Sequence, residues 1–393
     1  MNEGKFSFIR HLLFPIAATM LSPSSPLSTF LYIARGLKMM STSFSTSFPT
    51  SFSYQQLRKR SFKRAVVSAT MLTTALAAVP AHAEGQIRVA EQFGIVYLML
   101  NVAKDQQFIE KEGRKEGLDI KVDWLKLSGG AAVNDALLTG SVDIAGAGVG
   151  PLLTVWDRTH GHQNVKGVTS LGNLPYYLVS NNAAIKSITD FTAKDRIAVP
   201  AVDVSVQSRI LQYAAAKQWG DKDFKRLDKL TQALPHPDAA AALIAGGTEI
   251  DAHFGNPPFQ EQELAGNPKA HIVLSSYDVL GGPSSATVLY ATQKFRDSNP
   301  KTYHAFVLAM ADAAQFITAN PQAAADIYIR VNQSKLDRNL LVKIITDPKV
   351  QFKVAPQNTF GLAQFMYRVG AIKNQPTSWK DYFFDDPVTA GGS

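Results

Sequence analysis

The sequence predicts an α/β protein that consists of two similar lobes. Strand-like and helix-like segments alternate from Gln86 onward, which is typical of α/β proteins. The chain has 393 residues, enough for two lobes. In addition, segments 127–151 and 234–258 share one order of features: strand end, turn, Ala-rich helix, Gly, acidic residue, short strand, Gly and Pro. These observations together indicate a repeated structural unit.

Apolar periodicity predicts the first elements in chain order. They are a strand at 87–92, a helix from Ile95 to about Glu112 that ends at Gly113, a strand at 118–127, helix 128–140, strand 142–148, helix 151–159, and strands near 165–171 and 176–180. A second block follows, with strand 197–200, helices 205–219 and 238–245, and strands 250–254 and 271–276.

The last predicted strand, 286–292, could return the chain to the first lobe, and the C-terminal third is predicted to be helical. These boundaries predict a first lobe over 84–180 plus 286–393. They predict a second lobe over 181–285.

The formal charge of +8 belongs to the N-terminal segment. Nine of the 40 Lys and Arg residues and one of the 32 acidic residues lie in 1–83, so 31 of each sign remain from Glu84 onward. The remainder is formally neutral, and the charge therefore gives no support for nucleic-acid binding.

Residues 58–83 have the order of a secretory signal peptide. Basic RKRSFKR (58–64) precedes an apolar stretch (65–80) that is too short to span a bilayer, and Ala81-His82-Ala83 forms a small-x-small cleavage site. We predict a leader over 1–83 that is cut after Ala83. A buried N-terminal helix is the alternative interpretation.

The start of translation stays open. Residues 41–53 are low-complexity, so Met39 or Met40 could be the start, and an authentic long leader is the alternative. The apolar segment 11–33 is broken by prolines, which argues against a membrane-spanning helix there.

The chain contains no cysteine. This excludes structural disulfides, thiolate metal sites, cysteine nucleophiles and a lipidated N-terminal cysteine. We therefore predict a soluble periplasmic protein that is exported by its signal peptide and carries no lipid anchor.

Loops at the carboxyl ends of the predicted strands carry the candidate ligand-binding residues, because ligands bind there in open α/β sheets. Helix starts rich in Gly and Ser offer backbone N–H groups to an anion, and aromatic side chains could wall the site. For each residue, an ordinary helix cap or ordinary packing is the alternative. The predicted ligand-binding residues are Phe93, Gly94, Tyr97, Ser128, Gly129, Gly130, Gly148, Val149, Gly150, Asn173, Tyr176, Asp203, Ser205, Gln207, Phe254 and Asn256.

Catalytic interpretations have weaker support. His160-Gly161-His162 lies in a predicted loop without nearby acids, and no GxSxG or HExxH motif is present. Glu261 and Glu263 are predicted to lie on the solvated face of a helix. An enzyme would need a general base in the cleft, with His160, Asp143 or Asp203 as candidates. We predict a protein that is not an enzyme and has no catalytic residue, metal or cofactor.

Three segments resemble the nitrate/sulfonate/taurine-type solute-binding proteins of ABC importers. They are DWLKLSGGAAVNDALLTGSVDIAGAGVGP (123–151), RIAVPAVDVSVQSRILQYAAAKQWG (196–220) and GTEIDAHFGNPPF (247–259). The resemblance covers about residues 86–380. It implies the bilobal type II periplasmic binding protein fold, in which two α/β lobes are joined by two crossover strands around one small solute.

The resemblance also implies a set of solute contacts. In that family the loops after the first strands and the helix starts touch the solute, and these positions correspond here to Phe93, Gly94, Ser128 to Gly130, Gly148 to Gly150, Val204, Ser205 and Gln207. The taurine branch carries a Trp-Pro pair where this chain has Phe254-Gly255-Asn256-Pro257, which argues against taurine itself. The related thiamine-pyrimidine enzymes need a cysteine-rich motif, which a chain without cysteine cannot provide.

The sequence thus predicts the periplasmic solute-binding component of an ABC importer. The predicted ligand is a small anion, with aliphatic sulfonates favoured, nitrate or a small aromatic acid as alternatives, and a solute-binding sensor as a further alternative. The predicted partners are the permease and ATPase of the importer, and the protein is expected to be a monomer.

Overall fold

The computed structural model describes residues 84–393, and the predicted leader, signal peptide and cleavage site lie outside this range. The described residues contain two five-stranded sheets. The first has the strand order β2-β1-β3-β10-β4. Its strands are β1 Gln86–Glu91, β2 Lys121–Lys126, β3 Ile144–Gly148, β4 Lys166–Ser170 and β10 Thr287–Ala291.

The second sheet repeats the arrangement of the first, with the order β7-β6-β8-β5-β9. Its strands are β5 Tyr177–Ser180, β6 Ile197–Val199, β7 Thr231–Ala233, β8 Ala252–Phe254 and β9 His271–Ser275. In each sheet three strands are parallel, and the antiparallel fourth strand (β10 or β5) separates them from the fifth. This is the mixed α/β fold with two sheets that the sequence predicts.

The chain crosses between the sheets twice. It leaves the first sheet after β4 and enters the second at β5, then leaves the second after β9 and returns at β10. The predicted return of the chain at 286–292 is confirmed by the pairing of β10 with β3 and β4. The predicted first lobe includes β5, but the hydrogen bonds of β5 to β8 and β9 assign this strand to the second sheet.

Helices connect the strands and form the C-terminal third. They are α1 Leu98–Asp105, α2 Phe108–Lys115, α3 Gly130–Leu138, α4 Val149–Thr159, α5 Val206–Trp219, α6 His236–Ala245, α7 Phe259–Gly266, α8 Ser276–Leu280, α9 Gln293–Ser298, α10 Pro300–Ala319, α11 Pro321–Asn332, α12 Arg338–Ile345 and α13 Phe360–Arg368. Among residues 84–393, no helix is both long and apolar enough to cross a membrane.

The helix predicted from Ile95 to about Glu112 is in fact divided. A 3₁₀ turn at Ile95–Tyr97 leads into α1, and Gln107, with φ of 54°, separates α1 from α2. Gly113 does not end the helix but lies within α2, where a Cβ would stand 2.6 Å from the side chain of Ile120. The close approach of that side chain explains the glycine at this position.

The two lobes share a specific backbone arrangement. In the first, the Asp143 carboxylate accepts from the backbone N–H of Arg88 at 2.9 Å, and the Asp143 N–H donates to the Arg88 carbonyl at 2.9 Å. In the second, Asp251 and Arg196 make the same two bonds at 2.9 and 3.0 Å. The acidic residues of the repeated sequence pattern thus hold the start of a neighbouring strand in each lobe.

The C-terminal helices complete the core around the first sheet. The apolar stripe of α10 is buried against α1 and α2, with Phe306, Val307 and Met310 fully inaccessible. At 25 cal/mol per Å², full burial of each such side chain contributes about 2 kcal/mol before the entropy of folding is subtracted.

Candidate functional site

A small cavity lies where the carboxyl ends of the strands in both sheets meet. The space between its lining atoms is about 310 Å³, including the part open to solvent. It is lined by Gln92, Phe93, Tyr97, Gly130, Gly148, Pro151, Tyr176, Pro200, Ser205, Val206, Gln207, His236, Asn256 and Thr287. Both lobes contribute, as expected for a cleft site.

Half of the residues predicted to bind a ligand line this cavity, and half lie elsewhere. The lining residues are Phe93, Tyr97, Gly130, Gly148, Tyr176, Ser205, Gln207 and Asn256. The others are Gly94, Ser128, Gly129, Val149, Gly150, Asn173, Asp203 and Phe254. Ligand contact by each of these residues stays a prediction.

Four glycines of the first lobe lie against the second. A Cβ on Gly129 would stand 2.7 Å from the carbonyl oxygen of Pro200, and a Cβ on Gly148 would stand 2.6 Å from the Val206 side chain. A Cβ on Gly94 would stand 2.6 Å from Asn256 Oδ1, and a Cβ on Gly150 would stand 2.9 Å from the Arg209 side chain. The sequence predicts that these glycines let a ligand approach, which stays a prediction; in the structure their missing side chains also permit the close approach of the lobes.

Three polar or aromatic candidates have partners away from the cavity. Asp203 pairs with Arg209 at 3.0 Å on the flank of α5. Asn173 is fully buried at the first crossover, where it accepts from the Ser285 hydroxyl at 2.8 Å. Phe254 is fully buried in the core. These side chains hold the fold together around the site.

The start of α5 provides the polar wall of the cavity. Ser205 is its N-cap: the hydroxyl accepts from the Ser208 backbone N–H at 3.2 Å. The first backbone N–H groups of a helix lack partners within the helix and carry partial positive charge, so they suit an anion. Gln207, the second residue of the helix, is 3% exposed and lines the same wall.

Asn256 contributes the opposite polarity. Its Nδ2 donates to the Phe93 carbonyl across the lobes at 3.3 Å, and its buried Oδ1 has no hydrogen-bond partner among the described residues. An unsatisfied buried acceptor costs about 1–3 kcal/mol of stability. A ligand with an N–H or O–H donor could supply the missing hydrogen bond and recover that energy.

Behind Gln207, three ionisable side chains form a buried chain that the sequence analysis missed. His236 Nε2 lies 3.1 Å from Gln207 Nε2, and His236 Nδ1 lies 2.8 Å from His253 Nε2. His253 Nδ1 in turn contacts Glu263 Oε1. The prediction that Glu263 lies on a solvated face is wrong, because its side chain is fully inaccessible.

A signal for these residues exists in the sequence. His253 stands between Ala252 and Phe254 in a short strand that is buried throughout, so its ring faces the interior. Glu263 follows Phe259 by four residues and shares its face of α7. Because 261–263 contains two glutamates, the sequence was interpreted as a solvent-exposed face, although Glu263 is on the same side of the helix as Phe259.

Burial determines the protonation states of His236, His253 and Glu263. It raises the pKa of Glu263 to about 9 and lowers the pKa of His253 to about 3. Burial and then the neighbouring His253 ring hold the pKa of His236 well below its usual value. At neutral pH all three groups are therefore uncharged, and the His253–Glu263 contact is a neutral hydrogen bond rather than an ion pair.

Cationic side chains stand outside the inner cavity. No Lys or Arg is among the described residues that line it. An outer cavity at the cleft mouth is lined by Lys126 and Lys335 together with Phe93, Pro258 and Phe259. Lys126 lies 3.5 Å from the carboxylate of Glu91. The lining of the inner cavity thus offers neutral polar groups.

The three groups considered for catalysis do not reach the cavity. Asp143 is bound to Arg88 at 2.8 Å, Asp203 to Arg209, and His160 is exposed at the end of α4. None of them is among its lining residues.

Comparison with known families and proteins agrees with this architecture. Residues 95–331 match the model of the NMT1-like family. The chain belongs to the NMT1-like family. This member is also 28% identical over 221 residues to the taurine-binding periplasmic protein of Escherichia coli (strain K12). That similarity covers 55% of this chain and 63% of the relative, which is less than two thirds of its length.

Solved structures show the same fold at low identity. The alkanesulfonate-binding protein SsuA from Xanthomonas axonopodis pv. citri, bound to MOPS, has a TM-score of 0.59 at 18% identity and covers 74% of this chain and 95% of its own. The periplasmic nitrate-binding protein NrtA from Synechocystis PCC 6803 has a TM-score of 0.60 at 15% identity and covers 76% and 84%. This NMT1-like chain therefore has the periplasmic binding protein fold that its sequence predicts.

Proposed function

We propose that this protein is the periplasmic solute-binding component of an ABC importer and that it captures a small anion, an aliphatic sulfonate. The observation that carries the proposal is a small cavity between two lobes, lined by neutral donors and by no Lys or Arg. Membership of the NMT1-like family and the similarity to a taurine-binding protein support the ligand class.

The donors of the cavity suit a tetrahedral anion. The free N–H groups at the start of α5, the Ser205 hydroxyl and the Gln207 amide lie on one wall. A sulfonate spreads one charge over its oxygens, and several neutral hydrogen bonds can replace its hydration. Aromatic Phe93, Tyr97 and Tyr176 would contact an aliphatic tail.

Capture would proceed without bond breaking. We propose that the two sheets mark two lobes that are joined at 171–176 and 281–286 and close over the solute by hinge motion. The closed form would then be the state that the permease and ATPase of the importer recognise. We expect a monomer, since one chain carries both walls of the site.

Export is a separate part of the proposal. The signal peptide at 58–83 would direct the protein to the periplasm, and the absence of cysteine leaves no lipid anchor. Mass spectrometry of exported protein should find Glu84 as the first residue. An exported chain that retains Met1 would contradict cleavage.

A thermal-shift panel tests the ligand class. Protein that begins at Glu84 is heated with ethanesulfonate, taurine, nitrate, bicarbonate or benzoate, each in large excess. A ligand at about 1,000 times its dissociation constant adds about 4 kcal/mol of stability. We expect the largest shift with a sulfonate. A shift with nitrate or benzoate alone would overturn the sulfonate assignment, and no shift with any anion would overturn anion capture.

A further inference from the structure

Four side chains form a continuous hydrogen-bonded chain from the cavity wall into the second lobe. It runs from Gln207 through His236 and His253 to Glu263, and no member is more than 4% exposed. Gln207 and His236 line the cavity, whereas Glu263 is fully inaccessible. A proton at the buried end can therefore influence the polarity at the cavity end.

When the Glu263 carboxyl is protonated, every hydrogen bond in the series is donated in the direction from Glu263 toward Gln207. The Glu263 O–H donates to His253 Nδ1, and His253 Nε2–H donates to His236 Nδ1. His236 then carries its remaining proton on Nε2 and requires an acceptor, which is the Gln207 carbonyl oxygen. The oxygen and nitrogen of an amide exchange places by a simple flip. In this state the Gln207 NH₂ group faces the cavity.

When the Glu263 carboxyl is ionised, donor and acceptor exchange roles in every one of these hydrogen bonds. Glu263 accepts from His253 Nδ1–H, His253 Nε2 accepts from His236 Nδ1–H, and His236 Nε2 accepts from the Gln207 NH₂ group. The Gln207 carbonyl oxygen, which has no hydrogen-bond partner among the described residues, then faces the cavity. A carbonyl oxygen repels an anion, so the two states differ in their affinity for the proposed ligand.

We propose that Glu263 is a positioning residue that acts through His253 and His236 to set which end of the Gln207 amide faces the cleft, so that an anion binds when this chain carries its proton. The inference rests on the proposed capture of an anion. It adds three residues to the recognition machinery and predicts that anion binding and proton binding are linked.

The surroundings of Glu263 favour the protonated state. Its second oxygen, Oε2, is buried without a hydrogen-bond partner among the described residues, which is costly for a carboxylate and less so for a carboxyl group. Within residues 84–393 no Lys or Arg forms a salt bridge with Glu263, and burial lowers the pKa of its hydrogen-bond partner His253.

Neighbouring ionisable groups carry both signs, since Lys343 lines the same surface pocket as Glu261, Tyr177 and Asp347. Glu261 shares the helix α7, Tyr177 lies on the adjacent strand β5, and Asp347 follows α12. Asp238 lies on α6, beyond His236, and is exposed. Burial is therefore the cause of the raised pKa of Glu263.

The linkage is measured with ethanesulfonate, which does not titrate between about pH 6 and 11, on protein that begins at Glu84. Above about pH 9 the wild-type affinity should fall about tenfold per pH unit, and calorimetry in two buffers should show about one proton taken up per anion. In the Glu263→Gln variant this fall should disappear. Equal pH dependence in both proteins would overturn the inference.

Glu261→Gln is the matched control, since this carboxyl lies two residues away on the same helix and outside the chain of hydrogen bonds. It should keep the wild-type fall in affinity above about pH 9. Loss of the fall in this variant as well would contradict the role assigned to Glu263, because it would show that the charge of α7 and not the hydrogen-bonded chain determines the effect.

A ligand-free measurement separates this inference from the proposed function. Nitrogen-15 NMR of the imidazole rings should show His253 and His236 as Nε2–H tautomers at about pH 7 and as Nδ1–H tautomers above about pH 10. If Nδ1–H tautomers are found at about pH 7, the inference fails whatever the protein binds. If ethanesulfonate does not bind but the tautomers switch as stated, the sulfonate assignment fails and the proton-dependent orientation stands.

Discussion

A Cβ on Gly148 would stand 2.6 Å from the Val206 side chain, so the strand end β3 of one lobe and the start of α5 in the other meet without room for a methyl group. Val206 is 3% exposed and begins the helix that carries Ser205 and Gln207. The contact therefore joins lobe closure to the position of the proposed anion donors.

Gly148→Ala should hold the cleft partly open. The added methyl group would overlap a buried helix start that cannot move freely, so ligand affinity should fall about tenfold or more while each lobe stays folded. Isothermal titration with ethanesulfonate measures the affinity, and small-angle scattering with ligand measures closure. Gly361→Ala is the control, because a Cβ at that position on α13 meets nothing within 4 Å. Unchanged affinity in Gly148→Ala would contradict the closure role.

Gln207→Leu should remove one donor from the cavity wall with little change in volume. A hydrogen bond to a charged group is worth about 1.5–3 kcal/mol, which corresponds to a loss of about 10- to 100-fold in affinity. Gln218→Leu, an exposed position on the same helix, should bind normally. Equal affinities of the two variants for ethanesulfonate would exclude Gln207 from anion recognition.

Ser205→Ala should affect both stability and binding. Loss of the cap to Ser208 N–H costs about 1 kcal/mol of unfolding free energy, and the cavity loses a hydroxyl. Asp337 caps α12 in the same way, through Leu340 N–H at 3.0 Å, but lines neither the inner nor the outer cavity. Asp337→Ala should therefore lower stability by a similar amount and leave binding intact. Urea denaturation and titration calorimetry on both variants make the comparison.

The buried Glu263 carboxyl should make stability pH-dependent even without ligand. Burial raises its pKa to about 9, whereas the unfolded chain releases this proton near about pH 4.3. The stabilising contribution is complete below the unfolded pKa and is lost as pH rises through the folded pKa. The unfolding free energy of wild type relative to Glu263→Gln should then fall by up to about 1.4 kcal/mol per pH unit between about pH 5 and 9.

Urea denaturation at a series of pH values checks this slope. Glu261→Gln should remove a pH dependence of the unfolding free energy that ends near about pH 7 rather than 9, since burial raises the pKa of Glu261 only to about 7. Parallel pH curves for wild type and Glu263→Gln would show that the carboxyl is not protonated in the folded protein.

The sequence predicts the architecture well because its local signals are strong. The acidic residues within the repeated pattern, Asp143 and Asp251, make the same pair of backbone hydrogen bonds in both lobes. The break at Gln107 is not predictable from apolar periodicity, because a single left-handed residue between two helical segments leaves no apolar signal. The sheet membership of β5 depends on long-range pairing, about which periodicity carries no information.

The site was predicted in part for a similar reason. The end of each strand identifies its loop, so Ser205, Gln207 and Gly148 fall at the cavity as expected. Which glycine faces a ligand and which faces the other lobe depends on how the lobes close. His236 and Glu263 were missed because polar residues beside a turn or on a helix are usually exposed. Only the packing of α6 on β8, and of α7 on α6 and β5, buries them.

A crystal structure of the protein from Glu84, grown with ethanesulfonate, tests the central claim most directly. The account predicts one sulfonate group in the inner cavity, within hydrogen-bond distance of Ser205, Gln207 and the first N–H groups of α5. An empty inner cavity, or a sulfonate held only by Lys126 and Lys335 at the cleft mouth, would contradict it.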